Sequence, residues 1–222
     1  MPNAQPASFH EFFENLSSFC EQHKTVSKQL VKAKDKFFFL TGKLKENEQD
    51  FNNRVNSFLW WFFFDFRLKD AHHSPLFYYK EHLEQQNNRD AIALLNEQIA
   101  HIHSLFKFIK IKNGQSRIKD IVTGKKYLIN DENSLFGFVK GIYFETRLFS
   151  FEGQWCLANY FIRHPIAVKR EMRKKLKPIR KDNKALKSFF LELHSYYTKW
   201  HKYRSININN IYHFDQSIPG GK

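Results

Sequence analysis

Glycine and proline are scarce in this chain, with 8 and 6 copies in 222 residues. So few breakers exclude a collagen-like or loop-dominated chain and leave room for long helices. Cysteine is scarcer still. Cys20 and Cys156 lie far apart and form no metal-ligand spacing, and such low usage suits a reducing compartment. No apolar run approaches the roughly 20 residues needed to cross a bilayer. The first residues, Met1 to Pro6, carry neither a basic nor an apolar leader region, so a cytoplasmic location is the expectation. Catalytic signatures are missing as well. There is no GxSxG, HExxH or CxxC, and Thr123-Gly124-Lys125-Lys126 lacks the preceding glycine of a phosphate loop and reads as a turn.

What is abundant is phenylalanine, with 25 copies, and positive charge, with a formal net of +14. The rings concentrate in Phe58 to Phe66, where Asp65 is the single charge among large apolar side chains. Each ring removes a large area from water, so this run predicts a helix enclosed on most sides. Asp65 then sits at the rim or is buried against Arg67 or Arg147; a buried acid can act in catalysis, but a structural ion pair is the commoner outcome.

Ahead of the run, Ser8 and Glu11 form a capping box, and Phe9, Phe12, Phe13, Leu16 and Phe19 recur at helical spacing. The helical pattern continues to Thr41-Gly42. A second helix is predicted from about Asn47 to Leu68, a third after Ser74-Pro75, and a fourth after Asp90. Beyond Ser104 the period shortens to two. Leu105 to Lys112 alternates apolar residues with lysine, Asn113-Gly114 is a hairpin turn, and Arg117 to Val122 and Lys125 to Ile129 follow. Val139 to Phe151 and Gln154 to Ile162 complete five predicted strands, enough for a small antiparallel sheet or barrel. A basic helix from Ile166 to Lys177 is interrupted by Pro178. Asp182 opens a long helix with Leu186, Phe189, Phe190, Leu193, Tyr196, Tyr197, Trp200 and Tyr203 on one stripe. Ile206 to Tyr212 is a plausible strand or extended segment, and the Pro-Gly-Gly-Lys end is expected to be disordered.

The fold class is therefore α+β: a helical N-terminal layer, a central small antiparallel sheet or barrel and a long C-terminal helix. Residues 1–222 are read as one packed unit, divided into a helical region 1–103, the sheet 104–164, basic helices 165–204 and a tail 205–222.

Charge is distributed unevenly. Residues 163–204 hold fourteen Lys and Arg against three acids, a net of +11, whereas the first fifty residues balance at zero. A concentrated basic face attracts nucleic acid, anionic lipid or an acidic protein surface, and a solvated helix face is the plain alternative. Small barrels bind nucleic acid through a sheet face with basic neighbours. The candidate contacts are Lys110, Lys112, Arg117, Lys125 and Lys126 on the sheet, with Lys107 and Lys119 beside them. Arg170, Arg173, Lys174, Lys175, Lys177, Arg180 and Lys181 follow the sheet. No catalytic residue, metal ligand or cofactor is assigned. His72 and His73 would point apart, His101 and His103 could converge at an element end, and Glu145 and Arg147 share a strand face and would pair.

Several segments together resemble an uncharacterised family of bacterial cytoplasmic proteins. They are Asn53-Arg54 with the Phe58–Phe66 run, Ser74-Pro75-Leu76, His103 to Phe106, Lys119 to Gly124, Glu145 to Leu148, Lys199 to Arg204, and Ile211-Tyr212. The resemblance implies an architecture, with no assigned activity and no site residues. The expectation is a non-enzymatic basic protein that binds RNA or DNA. The alternatives are a regulatory module docking an acidic partner and an unrecognised enzyme, the latter favoured by a pocket holding Asp65 or His101 and His103.

Overall fold

The computed structural model describes residues 7–45, 50–69, 73–89, 92–93, 95–96, 100–130, 133–151 and 153–214, and among them four bounded helices precede the sheet, with residues 92–93 and 95–96 helical as well. The four are α1 (Ala7–Gln22), α2 (Lys24–Thr41), α3 (Phe51–Phe64) and α4 (Pro75–Gln85). The side chain of Ser8, the predicted start at Asn47, His72, the Asp90 cap and everything after Phe214 lie outside the described residues.

The aromatic run makes α3 the joint between layers. Phe58, Phe62 and Phe63 pack among the helices with Leu16, Phe19, Phe37 and Leu76. Trp60 turns the other way, onto Phe149 of the sheet at 4.9 Å between ring centroids. Its indole N–H donates to Asn159 Oδ1 at 2.8 Å, so the polar end of a buried ring is satisfied. Each ring buried in this way contributes about 1.5–3 kcal/mol. The helix stops at Phe64 and not at Leu68, because the amides of Asp65 and Phe66 both donate to Trp61 O and close the last turn.

Polar side chains hold the joint. Asn53 accepts from Phe161 N at 2.7 Å and donates to Phe161 O at 3.1 Å, docking α3 on the sheet. Arg54 is buried and donates to the carbonyls of Gly42 and Lys43, just past the end of α2, where a cation suits the helix dipole. Gly42 itself has φ +100°, and a Cβ there would lie 2.6 Å from Thr198 Cγ2. Both the backbone conformation and the close approach require glycine. Ser74 precedes α4 as expected, with Pro75 first in the helix, but its hydroxyl caps nothing.

The strands are β1 (Ile102–Lys112), β2 (Gln115–Asp120), β3 (Lys126–Ile129), β4 (Tyr143–Phe151), β5 (Gln154–Leu157) and β6 (Ile162–His164). All pairings are antiparallel, in the order β3-β2-β1-β4-β5, with β6 also on β4. Asn113 and Gly114 both have positive φ, as the tight turn between β1 and β2 demands. The single strand expected from Gln154 to Ile162 is two, β5 and β6, with Tyr160 buried in the link between them. The sheet curls into a half-barrel. Phe106, Phe108, Ile118, Tyr127, Ile129, Phe144, Leu148 and Leu157 fill its inner face, and the rings of Tyr127 and Trp155 meet at 4.9 Å.

The other face of the sheet carries the C-terminal helices. A 3-10 turn (Ile166–Val168) leads into α5 (Lys169–Ile179), which runs through Pro178 by one residue instead of stopping before it. Met172, Leu176 and Ile179 form its buried side and share a core with Leu105 and Tyr143. Next comes α6 (Asn183–Lys202). Asp182 caps it by accepting from the amides of Lys184 and Ala185. The aromatic stripe of α6 is buried from Leu186 to Tyr197, whereas Tyr203 lies past its end and is exposed. The extended segment expected at Ile206–Tyr212 is instead a short helix, α7 (Ile208–Ile211), started by the Asn207 side chain and held by Ile211 and Tyr212 against α6. Among the described residues, no helix is long and apolar enough to cross a membrane.

Candidate nucleic-acid interface and acid–base cleft

Strand register assembles the sheet lysines. Lys107 opposes Lys119, Lys119 opposes Lys126, and in the next row Lys110 opposes Arg117. Side chains directly opposite across a pair point to the same face, so these cations lie side by side over three strands. Lys107 also opposes Tyr143 on β4, and α5 places Lys169 Nζ and Arg173 Cζ 5.3 and 5.7 Å from the centroid of that ring. Partial burial, then Lys107 and Arg173, pull the Lys169 ammonium below its ordinary value. Two clusters separated in sequence therefore meet at Tyr143.

Of the predicted contacts, Lys110, Lys112, Arg117, Lys125, Lys126, Arg170, Arg173, Lys174, Lys177, Arg180 and Lys181 are exposed, and Lys175 is half-buried. Arg173 joins the sheet row. Arg170, Lys174 and Lys177 recur at four and three residues along α5, which puts them on a common stripe, and Lys181 lies in the turn that follows. Arg180 stands apart at the mouth of a cleft.

That cleft, of about 440 Å³, lies where β1 begins and α6 begins, and Asp65, His101, His103, Arg147, Arg180 and Lys187 line it. Beneath it sits a buried charge network. Asp65 follows the last residue of α3, an unfavourable place for an acid because the helix dipole is negative there. Two cations offset this. Arg147 Nη2 donates to Asp65 Oδ2, and Lys187 Nζ lies 2.7 Å from Oδ1. Burial would raise the Asp65 carboxyl, but Arg147, His103 and Lys187 outweigh it and hold the group well below its usual range. Arg147 Nη1 also contacts His101 Nε2 at 2.5 Å.

Glu145 is the second centre. It is 1% exposed, and His103 Nε2 (2.6 Å), Tyr160 Oη (2.8 Å) and His194 Nε2 all reach its carboxylate. Burial opposes ionisation, yet the charges and hydrogen bonds of His194 and His103 keep Glu145 well below its ordinary value. Burial, then Arg147, lower the His103 imidazole, and the hydrogen bond and charge of Glu145 oppose them. Burial and Glu145 raise the Tyr160 phenol, which stays a donor.

Glu145 and Arg147 share a face of β4 as expected, but each takes its principal partners elsewhere. Asp65 finds Arg147, one of the two partners expected for it. His101 and His103 converge on this region through Arg147 and Glu145. The residues that sequence reasoning missed are His194, Tyr160 and Lys187. His194 falls among the stripe of α6 and is hidden by the rings around it; no local pattern marks it. Asp120, in the Lys119–Gly124 segment, proves structural. Its carboxylate accepts from Ser104 Oγ (2.5 Å), Thr123 Oγ1 (2.6 Å) and Val122 N (2.8 Å), which shapes the turn into β3. Among the described residues, no three His, Cys, Asp or Glu side chains form a group that could hold a metal ion. Comparison of the chain with protein-family models, curated proteins and solved structures returns no match.

Proposed function

We propose that the protein binds nucleic acid along the face built by β1–β3 and α5. One observation carries the reading: the row Lys126, Lys119, Lys107 continues onto Lys169 and Arg173 around Tyr143. Like charges set directly opposite across strands are destabilising, each pairing by some tenths of a kcal/mol. A polyanion converts that cost into affinity by releasing its own counterions. The row runs across strands and helix, as a phosphate backbone would need, and the second stripe on α5 widens the track.

The test is fluorescence polarisation of a labelled single-stranded RNA and a DNA of the same sequence, titrated at several salt concentrations. Binding should weaken steeply as salt rises, with a log–log slope of about −0.7 per phosphate engaged. Replacing Arg170, Lys174 and Lys177 together by Gln should flatten that slope. Affinity that is absent at low salt, or indifferent to salt, would refute the proposal.

A further inference from the structure

The first fifty residues are neutral as a set, but their charge is segregated. Residues 24–45 hold seven lysines and one acid, Asp35. Most of that stretch is α2, whose inner side buries Val26, Ala33, Phe37 and Phe38 among the other helices. On the outer side, Lys28, Lys32, Asp35 and Phe39 recur at four, three and four residues and so share one face, with Lys24 and Lys36 bordering it. All six are exposed. A fifth lysine of this surface comes from outside the helix. Lys69 N donates to Gln29 Oε1 at 2.9 Å, and Lys24, Lys28, Lys32 and Lys69 together line a depression of about 320 Å³.

The same face carries apolar side chains that the core does not use. Of Phe37 to Leu40 the core takes Phe37 and Phe38, whereas Phe39 is 86% exposed. Val31, two turns earlier and 63% exposed, flanks it on one side, and Leu40, 40% exposed, on the other. Beside Phe39 runs a groove of about 510 Å³ walled by Phe38, Leu44 and Phe51, with Lys34 and Lys43 along it. Single apolar residues on a surface are ordinary, but a fully presented ring in the middle of a lysine face is a contact surface of defined chemistry.

We propose that the outer face of α2 docks on an anionic lipid bilayer. Its charge is complementary to anionic headgroups, and its one large ring enters the boundary between headgroups and acyl chains. Lysine suits such a place, because its apolar stem lies along the hydrocarbon boundary while the ammonium reaches the headgroups. The inner side stays packed on the protein, so docking requires no unfolding of α2 and no crossing of the membrane. A nucleic-acid strand fits this face less well, since Val31 and Leu40 offer no ring on which bases stack. The contact uses neither β1–β3 nor α5 and does not depend on the nucleic-acid reading of that face.

The experiment sediments the full chain with vesicles of phosphatidylcholine alone and of phosphatidylcholine mixed with phosphatidylserine. The protein should pellet with the mixed vesicles, and less as salt rises. Phe39→Ser should weaken binding at least about tenfold, and Lys24, Lys28 and Lys32 replaced together by Gln should weaken it about 10²-fold. Asp35→Asn, which removes the one acid of the face, should tighten it by about fivefold. These side chains are exposed, so circular dichroism and the urea midpoint should stay as in the parent chain. Equal binding to both kinds of vesicle overturns the inference. So does binding that neither the Phe39 nor the triple lysine change affects, which would place the lipid contact on the sheet and α5. A dimer that Phe39→Ser dissolves, or RNA binding that it weakens while vesicle binding persists, overturns the inference in favour of a second copy or of a strand.

Discussion

The basic face and the buried cluster under the cleft treat charge in opposite ways. On the face, cations oppose cations across β1, β2 and β3, and α5 adds Lys169 and Arg173 to them. In the cluster, each buried carboxylate is matched: Asp65 by Arg147 and Lys187, Glu145 by two imidazoles and a phenol. Unmatched charge is cheap in water, where repulsion is screened, and prohibitive in the interior. The interior charges are therefore part of the fold, and the excess on the surface is free to serve a ligand.

The largest effect that separates the two regions is expected from Arg147→Met. This change leaves Asp65 buried with Lys187 alone and should cost about 3–5 kcal/mol, read from urea unfolding. A loss under about 1 kcal/mol would mean that the cluster is not an interior ion pair at all, and the contrast would collapse.

A second effect is pH dependence, which belongs to the interior alone. Burial holds the imidazole of His164, bonded to Tyr212 Oη, down to about 3, and burial with Arg147 lowers His103. The unfolded chain, with ordinary imidazoles, then binds more protons than the folded one. Stability is complete above about pH 6.5 and falls as pH drops toward 3, by about 1.4 kcal/mol per pH unit for His164, and His103 adds to the loss in the same direction. Asp65 and Glu145, both lowered, extend the loss below about pH 4. Urea midpoints measured at successive pH values should trace this decline, and His164→Gln should make it shallower. A profile flat from neutral pH down to about 4 would contradict the burial of these groups.

The smallest effect sharpens the surface side. Replacing Lys107, Lys119 and Lys126 together by Gln should leave stability unchanged or raise it by some tenths of a kcal/mol, since it removes opposed like charges. The same variant should reduce the salt slope of RNA binding by about 2. A destabilised variant with an unaltered slope would assign these lysines to the fold instead.

Much of the architecture was legible along the chain. The stripe of α6 and its Asp182 cap, the end of α2 at Thr41-Gly42 and the turn at Asn113-Gly114 are all local patterns, and the structure has each of them. Local reading failed where a distant contact set the outcome. Ile206–Tyr212 reads as extended, yet Asn207 caps a turn that Ile211 and Tyr212 pack onto α6. Gln154–Ile162 reads as one strand, but Tyr160 leaves the pairing to reach Glu145.

The cluster was less legible than the basic face. Runs of lysine are visible in any window of sequence, although strict alternation in β1 would set Lys107 on the face opposite Lys110, and only the register shift between Phe108 and Lys110 brings the two to one side. Asp65 stood out because rings surround it, but its partner Arg147 lies 82 positions away, and His194 reaches Glu145 from 49 positions away. Periodicity specifies which side chains share a face of one helix or strand, because that depends only on backbone geometry. Which faces meet depends on strand register and on how α3 and α6 dock against the sheet. The amino-acid order thus determined the elements, their apolar sides and the excess of positive charge. Only tertiary packing decided that two acids, three histidines and an arginine share one site, because it is the exclusion of water there that makes each of them require the others.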